Sequence, residues 1–302
     1  MATEQITDIL DEKGQKQVML WEPSMGSVDV HFLNLPGLFH GAWDKVPSKV
    51  YHKMQLLSNT VLGAGGRSAA HARQALFAKS SGEEEKPTPA MKFGTAWHAA
   101  MGEPEYFEKH FVRLPELNRR KKDDNSEYYW YESQYGAEFC LKPDEYDAIL
   151  TMKQTMHQHR EAGPIIQALE YTETSFFWKD AQTGLGLKGR ADGMSLSAGI
   201  IVDFKSCADC RPSTFEREIL DREYYRQGAM YLRAARALGL PCDKFVFLAQ
   251  EKSPPYAIGV YCLSATKVAK GEAEIDSILE RLRKAGESNV WDDYTSAGII
   301  EL

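Results

Sequence analysis

The chain has 302 residues, 43% hydrophobic and 26% charged, with a formal net charge of −7. These proportions match a soluble globular protein and exclude a disordered or fibrous class, and the length allows one large domain or two small ones. The negative balance excludes a protein that coats nucleic acid over its whole surface. It leaves room for a local basic groove, with Arg67, Arg73 and the run Arg119, Arg120, Lys121 and Lys122 as candidates.

No stretch reaches the roughly 18 uncharged apolar residues that a membrane span needs, and MATEQITDILDEKGQK at the start is too polar for the core of a signal peptide. The reading is therefore a cytoplasmic protein with no membrane partner. Residues 1–45 mix short apolar runs with Gly and Pro and carry no catalytic pattern, so they read as an N-terminal arm of unknown role. From Val46 to Ser80 the pattern is helical, with Ser58 as an N-cap and a break expected at Gly63–Gly66. Residues 81–89, SGEEEKPTP, read as an exposed linker.

Met91 to Met101 is helix-prone, and helical spacing puts Thr95 and His98 on one face. Pro104 marks the first turn of a further short helix. The basic run 119–122 reads as a solvated loop ahead of Asp123 and Asp124. Residues 143–169 read as one amphipathic helix through Tyr146, Ile149, Leu150 and Met156. The period then changes. Thr172 to Trp178, Leu187 to Met194 and Ile200 to Lys205 form a three-stranded meander, joined by turns at Asp180–Gly186 and Ser197–Gly199. Thr214 to Leu238 reads as a long helix, Phe245 to Ala249 and Ala257 to Leu263 as strands, and Thr266 to Ala285 as a terminal helix. This order gives an α/β (α+β) fold with a central mixed sheet flanked by helices.

The sharpest chemical signal is GRADGMSLSAGIIVDFKS, residues 189–206. On a strand, Asp203 and Lys205 share one face about 7 Å apart, with Val202 and Phe204 on the other. Antiparallel pairing across the turn brings Asp192 opposite Asp203. Two buried carboxylates need compensation, and a divalent cation supplies it. Mg²⁺ takes one or two carboxylates plus water and phosphate oxygens, which suits Asp192 and Asp203, with the Phe204 carbonyl as an extra ligand. Such a cation activates water and neutralises charge on a phosphodiester. Lys205 could then hold the nucleophile or stabilise the phosphorus centre. Against this stands the plainer reading of a cross-strand salt bridge. Further along, Gln227 and Tyr231 lie one above the other on a helix face.

The ordered set His98, Asp192, Asp203-x-Lys205, Gln227-x3-Tyr231 resembles the PD-(D/E)XK nuclease superfamily, RecB-like branch. In particular it resembles the C-terminal nuclease domain of the phage-type exonuclease VIII (RecE-like) family. The resembling stretches are FGTAWHAAMGEPEYFEKHFV at 93–112, FFWKDAQTGLGLKGRADGM at 176–194, VDFKSCADC from Val202, REYYRQGAMYLRAA to Ala235, and YHKMQLLSNTVLGAGGRSAAHA at 51–72. The resemblance implies a restriction-endonuclease-like core and a single nuclease domain over 46–302. It implies Asp192 and Asp203 as metal ligands, Lys205 as the catalytic lysine, His98 as a metal ligand or positioner, and Gln227 and Tyr231 lining the DNA side. Glu173 could add a carboxylate.

The resemblance further implies Mg²⁺, with Mn²⁺ able to substitute, and a metal-dependent exodeoxyribonuclease acting 5′ to 3′ on the ends of double-stranded DNA in phage-type recombination. A single-strand annealing protein would be a partner, and the chain a homo-oligomer, in the form of a ring. Some RecB-like relatives hold an iron–sulfur cluster with one upstream and three C-terminal cysteines. Cys140, Cys207, Cys210, Cys242 and Cys262 lack that pattern, so no cluster is expected and all five read as free thiols. The competing readings are a repair endonuclease of the same superfamily and a catalytically silent DNA-binding protein.

Overall fold

The computed structural model describes residues 5–10, 16–20, 41–43, 46, 48–78 and 88–294. In chain order the elements begin with strands β1 (Gln5–Leu10), β2 (Lys16–Leu20) and β3 (Gly41–Trp43). Helices α1 (Ser48–Lys53), α2 (Asn59–Arg67), α3 (Ala69–Ala78), α4 (Pro89–Gly102) and α5 (Pro104–His110) follow. Next come β4 (Val112–Arg113), α6 (Lys122–Tyr135), β5 (Cys140–Leu141), α7 (Pro143–Gln158) and α8 (Ala162–Gln167). The remainder is β6 (Tyr171–Lys179), β7 (Gly186–Ser195), β8 (Ile200–Cys207), α9 (Pro212–Asp221), α10 (Tyr224–Ala237), β9 (Lys244–Glu251), β10 (Ile258–Cys262) and α11 (Ala265–Ser288).

One mixed sheet organises the molecule, in the order β10-β9-β8-β7-β6-β3-β1-β2. Among the described strands of this sheet only β8 and β9 run parallel, with α9 and α10 as their crossover, and the other pairs are antiparallel; β4 and β5 form a separate parallel pair. The sheet is buried on both faces. Ile201, Phe245 and Phe247 join Phe176, Met230 and Ile278 in a core under α2, α3, α10 and α11. Val202, Phe204, Val246 and Leu248 join Trp97, Phe107, Ile149 and Met152 in a second core under α4, α5 and α7. Strand β3 lies within the segment read from sequence as an arm, yet it extends the sheet beside β6. Of the expected linker, 81–87 falls outside the described residues. No helix among those described is long and apolar enough to cross a membrane.

Ser58 caps α2 as expected, accepting from the Val61 amide at 3.4 Å. The break expected at Gly63–Gly66 is instead at Ser68. Packing overrides propensity here, because a Cβ on Gly65 would lie 2.8 Å from Ile278. Only hydrogen fits beneath α11 at that point, so the helix keeps its glycine despite the entropic cost.

Two long helices of the sequence reading are also divided. The one over 143–169 stops at His159, whose Nδ1 accepts from the Glu161 and Ala162 amides and starts α8. The one over 214–238 is cut by Glu223, which takes a left-handed φ of 55°. That conformation brings the Glu223 carboxylate to 2.5 Å from Arg226, a guanidinium only 3% exposed that also pairs with Glu274. A buried cation without such partners would be strongly destabilising, so the kink is fixed by its ion pairs. Lys122, expected in a loop, begins α6, a helix with no aliphatic stripe to betray it.

Candidate active site

Strands β7 and β8 pair only through Gly193↔Val202, Met194↔Ile201 and Ser195↔Ile200, and then part. The cause is visible in β7 itself. Ala191 and Met194 both belong to the core under α10. Residues three apart on a regular strand face opposite sides, so the pleat breaks between them, at Asp192 and Gly193. On β6 the matching position is Glu173, which lies between the pairs Thr172↔Gly193 and Thr174↔Ala191 and has φ 53°. Left-handed backbone at a non-glycine residue inside a strand is strained, a feature that clusters at functional sites.

The break sends the Asp192 carboxylate into the gap, where its Oδ2 accepts from the Phe204 amide at 2.7 Å. A side chain thus replaces the missing ladder partner. Because the N–H and C=O of a strand residue share an edge, the Phe204 carbonyl faces the same gap. From α4, His98 reaches the same oxygen, its Nδ1 3.3 Å from Asp192 Oδ2. Trp97 sets this orientation: its buried ring meets Phe204 edge to face at 5.9 Å and anchors α4 on β8.

Asp203, on the α10 side of β8, is 1% exposed. Lys205 Nζ lies 2.6 Å from its Oδ2, and Gln227 Nε2 donates to its Oδ1 at 2.7 Å. Lys205 also donates to Gln227 Oε1 at 3.3 Å and sits 4.5 Å from the centre of the Tyr224 ring. Gln227 and Tyr224, one turn apart on α10, together hold the ammonium. Sequence reasoning passed over Tyr224, although its spacing of three from Gln227 puts both on one helix face.

These groups interact electrically. Burial pushes the Asp203 carboxyl up to about 6, with Lys205 opposing and Asp192 adding to the rise. Burial and then Asp192 raise Glu173 to about 7, against the pull of Arg190. Burial works against charge on both Asp192 and His98, yet each stabilises the other, so Asp192 is lowered and His98 raised. Lys205 follows the same logic: burial is outweighed by Asp203 and Asp192, and its pKa rises.

His98, Asp192, Asp203, Phe204, Lys205 and Gln227 are therefore brought together. Tyr231 is not brought into the gap. It is 7% exposed, lies under β7 against Gly189, and accepts from the Arg190 amide at 3.4 Å. A Cβ at Gly189 would come within 2.8 Å of its ring, and its side chain hydrogen-bonds Gln227, so it packs under β7 behind Gln227. Arg190, which the sequence reading also omitted, holds the rim of the site. It donates to Ser175 Oγ at 3.0 Å and to the Val46 carbonyl at 2.7 Å, and lies 3.9 Å from Glu173. Arg67 and Arg73 lie away on α2 and α3, bonded to Tyr294 and stacked over Trp291 respectively.

The donor set fits a hard divalent cation. Asp203 Oδ2 is buried and faces the Lys205 ammonium at 2.6 Å. Among the described residues no three His, Cys, Asp or Glu side chains close into a complete cage. Two carboxylates with one carbonyl form the sparse set on which Mg²⁺ keeps waters and takes phosphate oxygens.

A family model described as "PDDEXK-like domain of unknown function (DUF3799)" matches residues 66–302. No curated protein matches the chain in sequence. Among solved structures, one described as "Putative exonuclease", from Eubacterium rectale, is similar with a TM-score of 0.58 at 13% identity, over 85% of this chain and 95% of that one. A likeness at that identity shows a shared fold. The structure of SSO0001 aligns with a TM-score of 0.27 at 17% identity, over 64% of this chain and 88% of that one.

Proposed function

The chain belongs to the PDDEXK-like domain family (DUF3799), and from that premise we propose that it is a divalent-metal-dependent exodeoxyribonuclease acting on the ends of linear duplex DNA. The observation that carries this reading is the Asp192 carboxylate bonded to the Phe204 amide where β7 and β8 part, next in the chain to Asp203, whose carboxylate lies 2.6 Å from the Lys205 ammonium. A cross-strand salt bridge alone would need neither the pleat break nor the second carboxylate.

Asp192, Asp203 and the Phe204 carbonyl would hold Mg²⁺, or Mn²⁺ in its place. When bound, the cation lowers the pKa of water and neutralises charge on the phosphate. His98 steadies Asp192 and keeps it ionised. Gln227 orients Asp203 and Lys205 at once, so that the ammonium is positioned before substrate arrives. Lys205 places its charge where negative charge grows on the phosphoryl oxygens, and such preorganised groups are worth most in a site closed to water.

The preference for duplex ends, 5′-to-3′ polarity, a ring-shaped homo-oligomer, a cytoplasmic setting and a single-strand annealing partner extend the reading. Their support is the resemblance of the motif order to RecE-like nucleases, joined by a fold shared with a protein described as an exonuclease. The test is a time course on end-labelled linear duplex beside covalently closed circles, with Mg²⁺, Mn²⁺, Ca²⁺ or EDTA. Loss of label from one end of the linear DNA, in Mg²⁺ or Mn²⁺ only, is the expected result. Rapid nicking of closed circles would favour an endonuclease, and no cleavage in any metal would leave a DNA-binding protein.

A further inference from the structure

Helix α6 has no buried residue, an unusual state for a helix of 14 residues in a folded protein. Its sequence, KDDNSEYYWYESQY, contains no aliphatic side chain. All its apolar surface is aromatic. Tyr129 is 54% exposed, Trp130 53% and Tyr135 46%. A helix meant to dock in another protein's groove presents aliphatic anchors at helical spacing, which α6 lacks.

The residues leading into α6 are basic. Arg119, Arg120, Lys121 and Lys122 are all exposed, and none belongs to an ion pair among those of the described residues, in contrast to Arg113, Arg211, Arg226 and Arg283. Arg119 lies 4.0 Å above the Tyr128 ring and 5.8 Å from that of Tyr129, so one guanidinium already joins the charged run to the aromatic one. Unpaired cations beside exposed π faces are the two elements by which single-stranded nucleic acid is bound: charge follows the phosphates, and rings take the bases.

The position of α6 fits the chemistry. Glu132 on α6 acts on the charge of Lys92, near the start of α4. Two residues on, Gly94 faces Ser206, which directly follows Lys205. The helix thus lies towards the first turn of α4, the helix that carries His98 about 9 Å further along its axis from Lys92.

We infer that Arg119, Arg120 and Lys121 together with Tyr129, Trp130 and Tyr135 form a platform for single-stranded DNA, holding an unpaired strand beside the metal site. This rests on the nuclease reading for its biological sense, since end digestion of a duplex leaves one strand without a partner. The acidic side chains of α6 lie on the helix itself, while the cations stand at its entrance. The strand therefore enters along the basic run and stacks its bases on the rings beyond.

The test is fluorescence anisotropy of full-length protein with a labelled oligothymidylate of about 15 nucleotides, within the span of single-strand sites. A blunt duplex of similar length serves as comparison, both in Ca²⁺. Tyr129→Ser combined with Trp130→Ser should weaken oligothymidylate binding about tenfold or more, the scale of losing two stacked bases, and leave blunt-duplex binding within about twofold. Arg120→Glu with Lys121→Glu should lower both the affinity and its salt slope. Since Arg120, Lys121, Tyr129 and Trp130 are all exposed, these variants should keep the parent's melting temperature. Unchanged oligothymidylate affinity in both double variants overturns the platform. So does a changed sedimentation coefficient with unchanged affinity, which would assign α6 to contact between copies of the chain. The binding assay needs no turnover, so the two readings separate. Parent protein that binds the oligonucleotide through α6 but cleaves nothing removes the nuclease reading alone, while cleavage with α6-independent binding removes the platform alone.

Discussion

Gln227 donates to Asp203 at 2.7 Å, and its other amide atom accepts from Lys205 at 3.3 Å, so one neutral side chain spans both members of a buried ion pair. Gln227→Leu should leave Asp203 Oδ1 buried without its donor, costing about 1–3 kcal/mol of stability. It should also free the Lys205 ammonium to rotate, and slow cleavage. Gln227→Glu is expected to be worse for catalysis, because a further carboxylate would compete for Lys205. Melting temperature and single-turnover rate on the same preparations check both statements, and parental rates in Gln227→Leu would remove the positioning role.

Asp192→Asn and Asp203→Asn should each reduce cleavage more than about a hundredfold, the scale on which one positioned group acts. Their effects on the fold should differ. Asp203 is 1% exposed and pairs with Lys205, so Asn leaves a buried ammonium with a weaker partner, a strongly destabilising change. Asp192 is 15% exposed at its side chain and pairs with a histidine, so its Asn variant should melt closer to the parent. Near-parental cleavage in either variant would mean that the site has been assigned wrongly.

Glu173 gives a pH prediction with a definite sign. Its carboxyl titrates near 4.5 when unfolded and is raised to about 7 in the fold, by burial first and Asp192 second. Between those values the native protein holds a proton that the unfolded chain has lost, so this contribution is full below about pH 4.5 and falls as pH rises through 7. Glu173→Gln removes the penalty. Without metal, in EDTA, the variant should melt above the parent at pH 8 by several degrees, roughly 2–4 °C per kcal/mol for a domain of this size, and level with it near pH 4.5. Parallel melting curves across that range would contradict the assigned shift.

How far the sequence disclosed this site depended on the kind of constraint. Strand parity was enough to put Asp203 and Lys205 on one face and Asp192 across the turn, because the period-two alternation of β8 is local. Gln227 was found through helical spacing, and Tyr224 could have been found in the same way. Tyr231 shares that spacing yet belongs to the core, since only the close approach of Gly189 decides which side of the helix meets the sheet. The left-handed backbone at Glu173 and Glu223 has no glycine to announce it and arises from tertiary contacts. The strand and helix order of the α/β sheet was legible for similar reasons, whereas α6 escaped because it has no aliphatic periodicity to mark it. Division of the long helices at His159 and Glu223 escaped as well, being set by a capping imidazole and a buried arginine.

The last prediction separates catalysis by Lys205 from simple attraction of DNA. Its ammonium is held by Asp203, Gln227 and the Tyr224 ring, and it is only 16% exposed, so little of its charge reaches the surface where DNA first binds. A charge fixed within a closed site acts mainly on the transition state, as charge builds on the phosphoryl oxygens. Lys205→Ala should therefore slow single-turnover cleavage at saturating protein by about 10²- to 10³-fold, the range for loss of one such donor. Binding in Ca²⁺ should fall far less, and the salt slope should change by at most about one ion. The substitution also removes the main influence that lowers Asp203 against its burial, so the Asp203 pKa should move above its value of about 6. Residual cleavage would then demand a higher pH, and the rising limb of the rate profile should shift to the alkaline side in Lys205→Ala. Lys205→Arg keeps the charge but spreads it over a planar group that the Gln227 and Tyr224 pocket is not shaped to hold, so it should restore the pH limb more fully than the rate. A parental rate in Lys205→Ala at saturation would reduce Lys205 to a binding residue, and an unshifted pH limb would show that Asp203 does not depend on it.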